Sequence, residues 1–442
     1  MDGKRIQDDI QRLKTSATKL SGSDETVRNT LLLAIRDGFS RDWPLIKAAN
    51  QEDLAQAKDS QLGDALIKRL VFDEEKLASV QLGLTQVATL ADPIGEVLER
   101  RLLDEGLLLE RVSFPIGVIG MIFEARPDAL VQIVSLCLKS GNGIILKGGK
   151  EAFRTNTALV ASIKKSSQSS PLGEDWLLLL ENHSDVSLML KMDDAIDLLI
   201  PRGSNAFVRY VMDNTHIAVL GHADGICHMY VDKDADLEKA VACAVDSKIQ
   251  YPAACNAIET LLVHKSVAHT FVPLVSAALQ SKGVIIHGDR ATSSSVTCLP
   301  YKDGDYEIEY LSLELNIRVV DDLTEALSHI ALYGSHHTDA IISEDKGAIR
   351  RFMLEVDSAD VFANCSTRFA DGFRFGLGAE VGISTAKIHA RGPVGLSGLM
   401  SSKWLLNGSG QTVASYSGPQ AKAFLHTELS CSGSSLVGGN PL

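Results

Sequence analysis

The sequence predicts an α/β protein with parallel sheet and two or three domains. Its 442 residues exceed what one hydrophobic core ordinarily organises. An apolar strand pattern ending at Phe123, a helical stretch from Ala129 to Leu138 and a second strand from Gly143 to Lys147 follow one another, with Ser140-Gly141-Asn142 stopping the helix. Strands joined through a helix pair in parallel, and this alternation continues to about residue 385.

Residues 1 to about 100 read as helices that wrap or extend a domain. Examples are Asp24–Ser40, Gln51–Lys58 and Leu62–Arg69, with Ser21-Gly22-Ser23-Asp24 as a start signal. Leu107–Ser113 is extended, and Phe114-Pro115-Ile116-Gly117 turns the chain into the strand that ends at Phe123. Ala195–Ile200 and Ile217–Leu220 read as strands on either side of a helical Ala206–Met212. Cys227–Asp232 is a further strand and Asp236–Ser247 a helix, and the run from Cys255 to Val263 reads as helix-like. Gly283–Gly288, Leu313–Val320, Asp339–Ile342 and Ser358–Ala363 are strand-like, with a helix over Asp322–Ala331. Tyr301–Tyr310 is acidic and expected at the surface. Gln411–Tyr416 reads as an added strand, and the chain after Ser430 reads as disordered.

Hydrophobic content of 45% and charged content of 22% describe a soluble globular protein. A net charge of -13 opposes a nucleic-acid partner or an anionic membrane surface, while leaving room for a local basic pocket. No stretch has signal-peptide form or the length to span a bilayer. The seven cysteines are scattered and form no C-x-x-C pair, which excludes a disulfide framework or a cysteine-based zinc site and points to a reducing cytoplasm. His222, Cys227 and His228 match no metal-binding spacing, so no metal is expected.

The chemistry concentrates where polar residues interrupt this pattern. Asp246–Thr260 carries Tyr251-Pro252-Ala253-Ala254-Cys255-Asn256. With Pro252 in the first turn of the expected helix, Cys255 would meet unpaired N–H groups and the positive end of the helix dipole, which favour a thiolate. Those N–H groups and the Asn256 amide would hold an oxyanion. A small buried cysteine that packs like alanine fits the same residues.

Two polar clusters, Glu124-Arg126-Asp128 and Lys147-Gly148-Gly149-Lys150-Glu151, fall at the C-terminal ends of parallel strands, where ligands bind in open α/β sheets. Lys147 and Lys150 suit an anion or a cofactor ribose, or are plain loop lysines at a helix start; neither G-x-G-x-x-G nor a P-loop is present. Arg202 and the N–H groups of Gly203 and Ser204 suit a phosphate or carboxylate. Arg368 and Arg374, in a glycine-rich stretch suited to loops over a site, are either anion-binding or solvated.

These stretches resemble one family closely. Pro115–Pro127, Leu146–Glu151, Ile200–Ser204, Gly221–His228, Tyr251–Asn256 and the segment from Val356 to Gly395 are similar to the γ-glutamyl phosphate reductases and to the reductase half of bifunctional pyrroline-5-carboxylate synthases. The likeness covers most of residues 110–400 and implies an aldehyde dehydrogenase-like fold. The implied domains are a Rossmann-like NADPH-binding domain over 1–252 and a catalytic domain over 253–385. Residues 386–442 return to the first domain, and a small extension around 100–113 and 405–420 joins subunits into a dimer or tetramer.

By that resemblance Cys255 is the nucleophile, Lys147 meets the cofactor ribose, Gly203 and Ser204 lie near the diphosphate, and Glu314 holds the nicotinamide ribose. The hydrolytic relatives place an oxyanion-holding asparagine before Phe-Pro, where this chain has Glu124-Ala125-Arg126-Pro127. They also carry a water-activating glutamate in Glu-Leu-Gly-Gly, where this chain has Val219-Leu220-Gly221-His222-Ala223-Asp224. A reductase resolves its thioester by hydride and has no use for that base. The implied reaction is NADPH-dependent reduction of L-glutamyl 5-phosphate in proline synthesis, with Arg126, Arg202, Arg368 and Arg374 dividing the substrate's α-carboxylate and phosphate. The Lys147–Lys150 pair favours NADPH over NADH. The implied partners are that substrate, a second copy of the chain and, transiently, a separate glutamate 5-kinase.

Overall fold

Two parallel sheets, a four-stranded antiparallel sheet and a two-stranded antiparallel ribbon of Gly382–Ser384 with Gly392–Val394 organise the chain in the computed structural model, which describes residues 3–124, 126–180, 183–221, 224–377 and 380–431. The first parallel sheet has five strands in the order Leu177–Leu179, Gly143–Gly148, Val118–Phe123, Leu198–Arg202 and Ala218–Val219. Successive strands step outward on one side of Val118–Phe123 and then restart on its other side. That reversal opens a crevice at the C-terminal ends of Val118–Phe123 and Leu198–Arg202.

Both faces of this sheet are covered, which is why its central strands are buried throughout rather than alternating, with Lys147 the one charged residue among them. Val118 and Ile122 pack with Ile6, Ile10 and Leu13 of the helix Gly3–Ser21. Ile119, Met121 and Phe123 point the other way, into a core with Leu31 and Phe39 of the helix Glu25–Asp59 and Leu130 of the helix Pro127–Lys139. The N-terminal region is thus a wrapping layer. Its helix Glu25–Asp59 runs straight through the break expected between Ser40 and Gln51, and contains Pro44.

The second parallel sheet has seven strands, in the order Leu299–Pro300, Ile285–Gly288, Glu314–Val320, Ile258–His264, Cys227–Val231, Thr338–Ile342 and Asp360–Ala363. Ile258–His264 corrects the helix-like reading after Cys255: all seven residues are buried between two covered faces, and a short run without alternation does not distinguish strand from helix by period. Cys227–Val231 belongs to this sheet, and Ala240 and Ala244 of the helix Leu237–Ile249 pack in its core. The second sheet's territory therefore begins near residue 227, ahead of the boundary expected at 253. The acidic segment Tyr301–Tyr310 is not wholly superficial, since Asp305 and Tyr306 are buried.

The third sheet is antiparallel, in the order Met400–Asn407, Leu107–Pro115, Val97–Asp104 and Thr427–Glu428. The added strand is thus Met400–Asn407, while Val413–Tyr416 forms one short helical turn instead of the expected strand. Before it, Val381, Val394 and Leu399 pack into the first domain's core, and Asn142 Nδ2 donates to the Leu399 carbonyl at 2.9 Å. Most of the stretch read as disordered after Ser430 lies outside the described residues. Among those described, no helix is long and apolar enough to cross a membrane.

Candidate active site

Cys255 sits in the loop between the helix Leu237–Ile249 and the strand Ile258–His264. Two successive turns shape it: Ala254 N–H donates to the Tyr251 carbonyl at 3.1 Å, and Ala257 N–H to the Ala254 carbonyl at 2.9 Å. No helix starts at Pro252, so the cysteine has no helix N-terminus. It lies at the N-terminal edge of the second sheet, and it is half-buried. The backbone N–H groups of Cys255 and Asn256 make no hydrogen bond among the described residues, which leaves two donors beside the thiol.

The Asn256 side chain faces elsewhere. It is buried, its Nδ2 donates to the Ala370 carbonyl at 2.6 Å, and its backbone carbonyl accepts from Thr367 Oγ1 at 2.6 Å. Those bonds pin the cysteine loop to residues 366–370, so the amide expected to hold an oxyanion is spent on position.

Arginines lie on both sides of Cys255, one at the end of a strand of the first sheet and one in the short helical turn Thr367–Phe369. Arg202 ends its strand at the crevice of the first sheet and is half-buried; burial pulls its pKa down, opposed by Glu380 and by Cys255, while Arg126 adds to the lowering. Glu124 N–H donates to the Arg202 carbonyl at 3.1 Å, which ties the two strand ends together. Arg126 follows, exposed, as the residue before the helix Pro127–Lys139. From the second domain, Arg368 is buried, stands over the Tyr251 ring at 6.0 Å and donates from Nε to Gln250 Oε1 at 2.9 Å. Burial lowers its pKa first, then the charge of Arg374; Cys255 opposes. Arg374 is exposed and donates from Nη1 to the Arg368 carbonyl at 2.6 Å. Arg202 and Arg368 are thus both near enough to Cys255 for charge to act between them.

The cofactor candidates line the C-terminal edge of the first sheet. Lys147 is buried and donates to the Gly148 carbonyl at 2.5 Å; burial lowers its pKa, and Asp185 and Glu151 oppose that. Lys150 is exposed at the start of the short turn Lys150–Ala152, just before the helix Phe153–Ser167. Gly203 is exposed, and Ser204 caps the helix Asn205–Asp213 without spending its side chain on a cap hydrogen bond. A doubly wound sheet, an open helix N-terminus at its strand-order reversal and two lysines one strand away fit a phosphate-bearing dinucleotide.

Glu314 is only half-buried, and its carboxylate is turned to His287 Nε2 at 3.1 Å and Ser312 Oγ at 3.1 Å. Another carboxylate, Glu309, spans the two domains. Its Oε2 accepts from Asn205 Nδ2 at 2.5 Å, and its Oε1 lies 2.6 Å from the point where a Cβ on Gly225 would stand. The Cα of Cys255 lies 2.6 Å from that same point. Sequence reasoning missed Glu309 because it sits among the acidic residues of Tyr301–Tyr310, where nothing marks one carboxylate from the rest. His222 and Ala223 of the neighbouring loop lie outside the described residues. Among those described, no cluster of three or more metal-ligating side chains occurs.

Residues 45–295 match the aldehyde dehydrogenase family. The chain is 52% identical over 418 residues to a γ-glutamyl phosphate reductase of Cyanothece sp., covering 95% of this chain and 96% of that one. Its structure is similar to the crystal structure of γ-glutamyl phosphate reductase from Thermotoga maritima, with a TM-score of 0.91 and 34% identity over 92% of this chain and 99% of that one. A glyceraldehyde-3-phosphate dehydrogenase from Methanocaldococcus jannaschii complexed with NADP shares the fold, with a TM-score of 0.63 and 14% identity over 92% and 95% of the two chains.

Proposed function

The chain belongs to the γ-glutamyl phosphate reductases, oxidoreductases of the aldehyde dehydrogenase superfamily, and on that premise we propose that it reduces L-glutamyl 5-phosphate to L-glutamate 5-semialdehyde and phosphate through a thioester on Cys255. The observation that carries this reading is the half-buried thiol with unspent backbone N–H groups beside it, close enough to Arg202 of the first sheet and to Arg368 of the turn Thr367–Phe369 for their charges to interact.

Cys255 Sγ attacks the acyl carbon, the C–S bond forms, and the bond to the phosphate oxygen breaks. The thiol proton leaves with phosphate. The N–H groups of Cys255 and Asn256 bear the oxygen's charge as it develops. NADPH, when bound, supplies the hydride that the thioester carbon takes up. The resulting thiohemiacetal collapses, the C–S bond breaks, and aldehyde and free cysteine separate. Lys147, Lys150, Gly203 and Ser204 would hold the nucleotide, and Glu309 is better placed than Glu314 for the ribose nearest Cys255. Arg368 and Arg374 take one anionic end of the substrate, Arg202 and Arg126 the other. The exposed edge strand Met400–Asn407, with Trp404 and Leu406 outward, suits pairing with a second copy in a dimer or tetramer.

The reverse assay tests substrate, cofactor and reaction class together. Glutamate semialdehyde, NADP and phosphate should give NADPH, and omitting phosphate should abolish it. Equal aldehyde oxidation without phosphate would instead indicate a hydrolytic dehydrogenase.

A further inference from the structure

Lys248 and Glu259 form an ion pair at the base of the Cys255 loop, with both residues fully buried. Lys248 lies in the last turn of the helix that enters the loop, and Glu259 is the second residue of the strand that leaves it. Lys248 Nζ donates to Glu259 Oε2 at 2.7 Å and to the Ile258 carbonyl at 3.0 Å, so one side chain closes the loop at its neck. Glu259 Oε1 is buried with no hydrogen-bond partner.

The strand is also irregular at this point. Cys227 is paired with Ile258, yet the next residue, His228, is paired with Thr260, so Glu259 is the extra residue of a bulge. A bulge frees one residue from the ladder and re-aims its side chain. Here it turns a carboxylate toward Lys248 in the interior of a parallel sheet. A buried ion pair and a bulge are both poor sources of stability compared with a regular strand and an apolar pair. Their coincidence at one loop neck implies a use in geometry.

Beyond the neck, the loop is held at its tip by Asn256 and Thr367 and under Cys255 by Cys227, whose Sγ is 3.1 Å from the Cys255 carbonyl. At its helical end the loop is tied through Ser247, which accepts from Thr367 N–H at 3.1 Å, and Gln250, which accepts from Arg368 Nε at 2.9 Å; the Lys248–Glu259 pair is what joins that end to the strand leaving the loop. On the far side of the bulge, Asn316 Nδ2 donates to the Glu259 carbonyl at 3.2 Å and to the Asp305 carbonyl at 3.0 Å, while Tyr310 OH donates to Asn316 Oδ1 at 3.1 Å. The bulge therefore also anchors the segment that carries Glu309.

We propose that the Lys248–Glu259 pair is a positioning clamp that sets Cys255 and Glu309 in register for the reaction. It touches neither substrate nor cofactor, and the inference rests on the reading of Cys255 as nucleophile. Burial raises the pKa of Glu259 and lowers that of Lys248, and each charge opposes the other's shift.

The test replaces the pair with apolar residues, Lys248→Met with Glu259→Leu, in the full chain. The double variant should melt near the parent's temperature and bind NADPH as the parent does. Its kcat in the reverse assay should fall at least about tenfold with the KM for NADP unchanged, since misplacement of a reacting atom acts on the chemical step. The rate of Cys255 alkylation by iodoacetamide should change as well, with its pH profile displaced. Parent-like kcat and alkylation in a folded double variant would overturn the clamp, leaving the pair a purely structural feature. If the double variant does not fold, Glu259→Gln, which keeps the shape and loses the charge, is read by the same two measurements. A parent enzyme inactive in the reverse assay would overturn the proposed function instead, and the clamp would still be judged by the alkylation rates.

Discussion

Glu309 and Cys255 meet across Gly225: the glutamate's Oε1 and the cysteine's Cα each lie 2.6 Å from the position a Cβ on that glycine would occupy. A carboxylate from the second domain and the candidate nucleophile thus share one gap, and glycine is what leaves it open. The same Cβ would stand 2.2 Å from the Cys255 carbonyl oxygen, a backbone atom with little freedom to move. Gly225→Ala should push the cysteine loop aside, lowering kcat at least about tenfold and stability by about 1–3 kcal/mol. Steady-state kinetics and denaturant unfolding check both; parent-like kcat would show that the loop tolerates the shift.

Arg368 is buried and Arg374 holds its backbone carbonyl, so the two differ in expected effect. Arg368→Ala should weaken use of phosphate or semialdehyde in the reverse reaction by about 2–5 kcal/mol, the range for truncated charge-assisted contacts. Arg374→Ala should do less, and neither should alter NADPH binding, which titration of the nucleotide measures. Unchanged reverse kinetics in both variants would return these arginines to structural roles.

Lys150 is exposed beside the cofactor candidates and suits the 2′-phosphate that distinguishes NADPH from NADH. Lys150→Ala should raise the KM for NADPH more than that for NADH. An equal rise for both would remove it from cofactor choice.

Asp104 ties the antiparallel extension to the C-terminal segment: its Oδ2 accepts from Tyr416 OH at 2.6 Å and from Lys422. Lys422, then Tyr416 and the Glu105 N–H, lower its pKa to about 2. A depressed carboxylate contributes stability above its unfolded value, and that contribution is lost as pH falls through the folded one. The segment Val413–Lys422 should therefore stay docked at pH 5 and loosen between about pH 4 and pH 2, while Lys422→Ala, which lacks the main contact, should already be looser at pH 5. Hydrogen exchange of that segment measures it; docking unchanged at pH 2 would rule out the Asp104 tie.

The α/β alternation was legible because strands such as Val118–Phe123 and Gly143–Gly148 are buried on both faces and bounded by glycine and proline turns. The error after Cys255 has a physical origin. Ile258–His264 is uniformly buried, so no period betrays its type, and Pro252 suits a turn as well as a helix start. The cysteine, the lysine pair and the arginines stood out because polar residues interrupt apolar runs. Glu309 and the Lys248–Glu259 pair did not, since their meaning comes from residues distant in the chain and from a bulge that shifts register by one.

The central claim is that Cys255 carries the acyl group, and turnover of Cys255→Ser in the phosphate-dependent reverse assay tests it most directly. An alcohol without a dedicated base is a poor nucleophile. Cys255→Ser should fold, bind NADPH and lose turnover by at least about a thousandfold, while Cys365→Ser, at another half-buried cysteine of the same domain, stays near the parent. Near-parent turnover by Cys255→Ser, or loss confined to Cys365→Ser, would contradict the assignment and the thioester route with it.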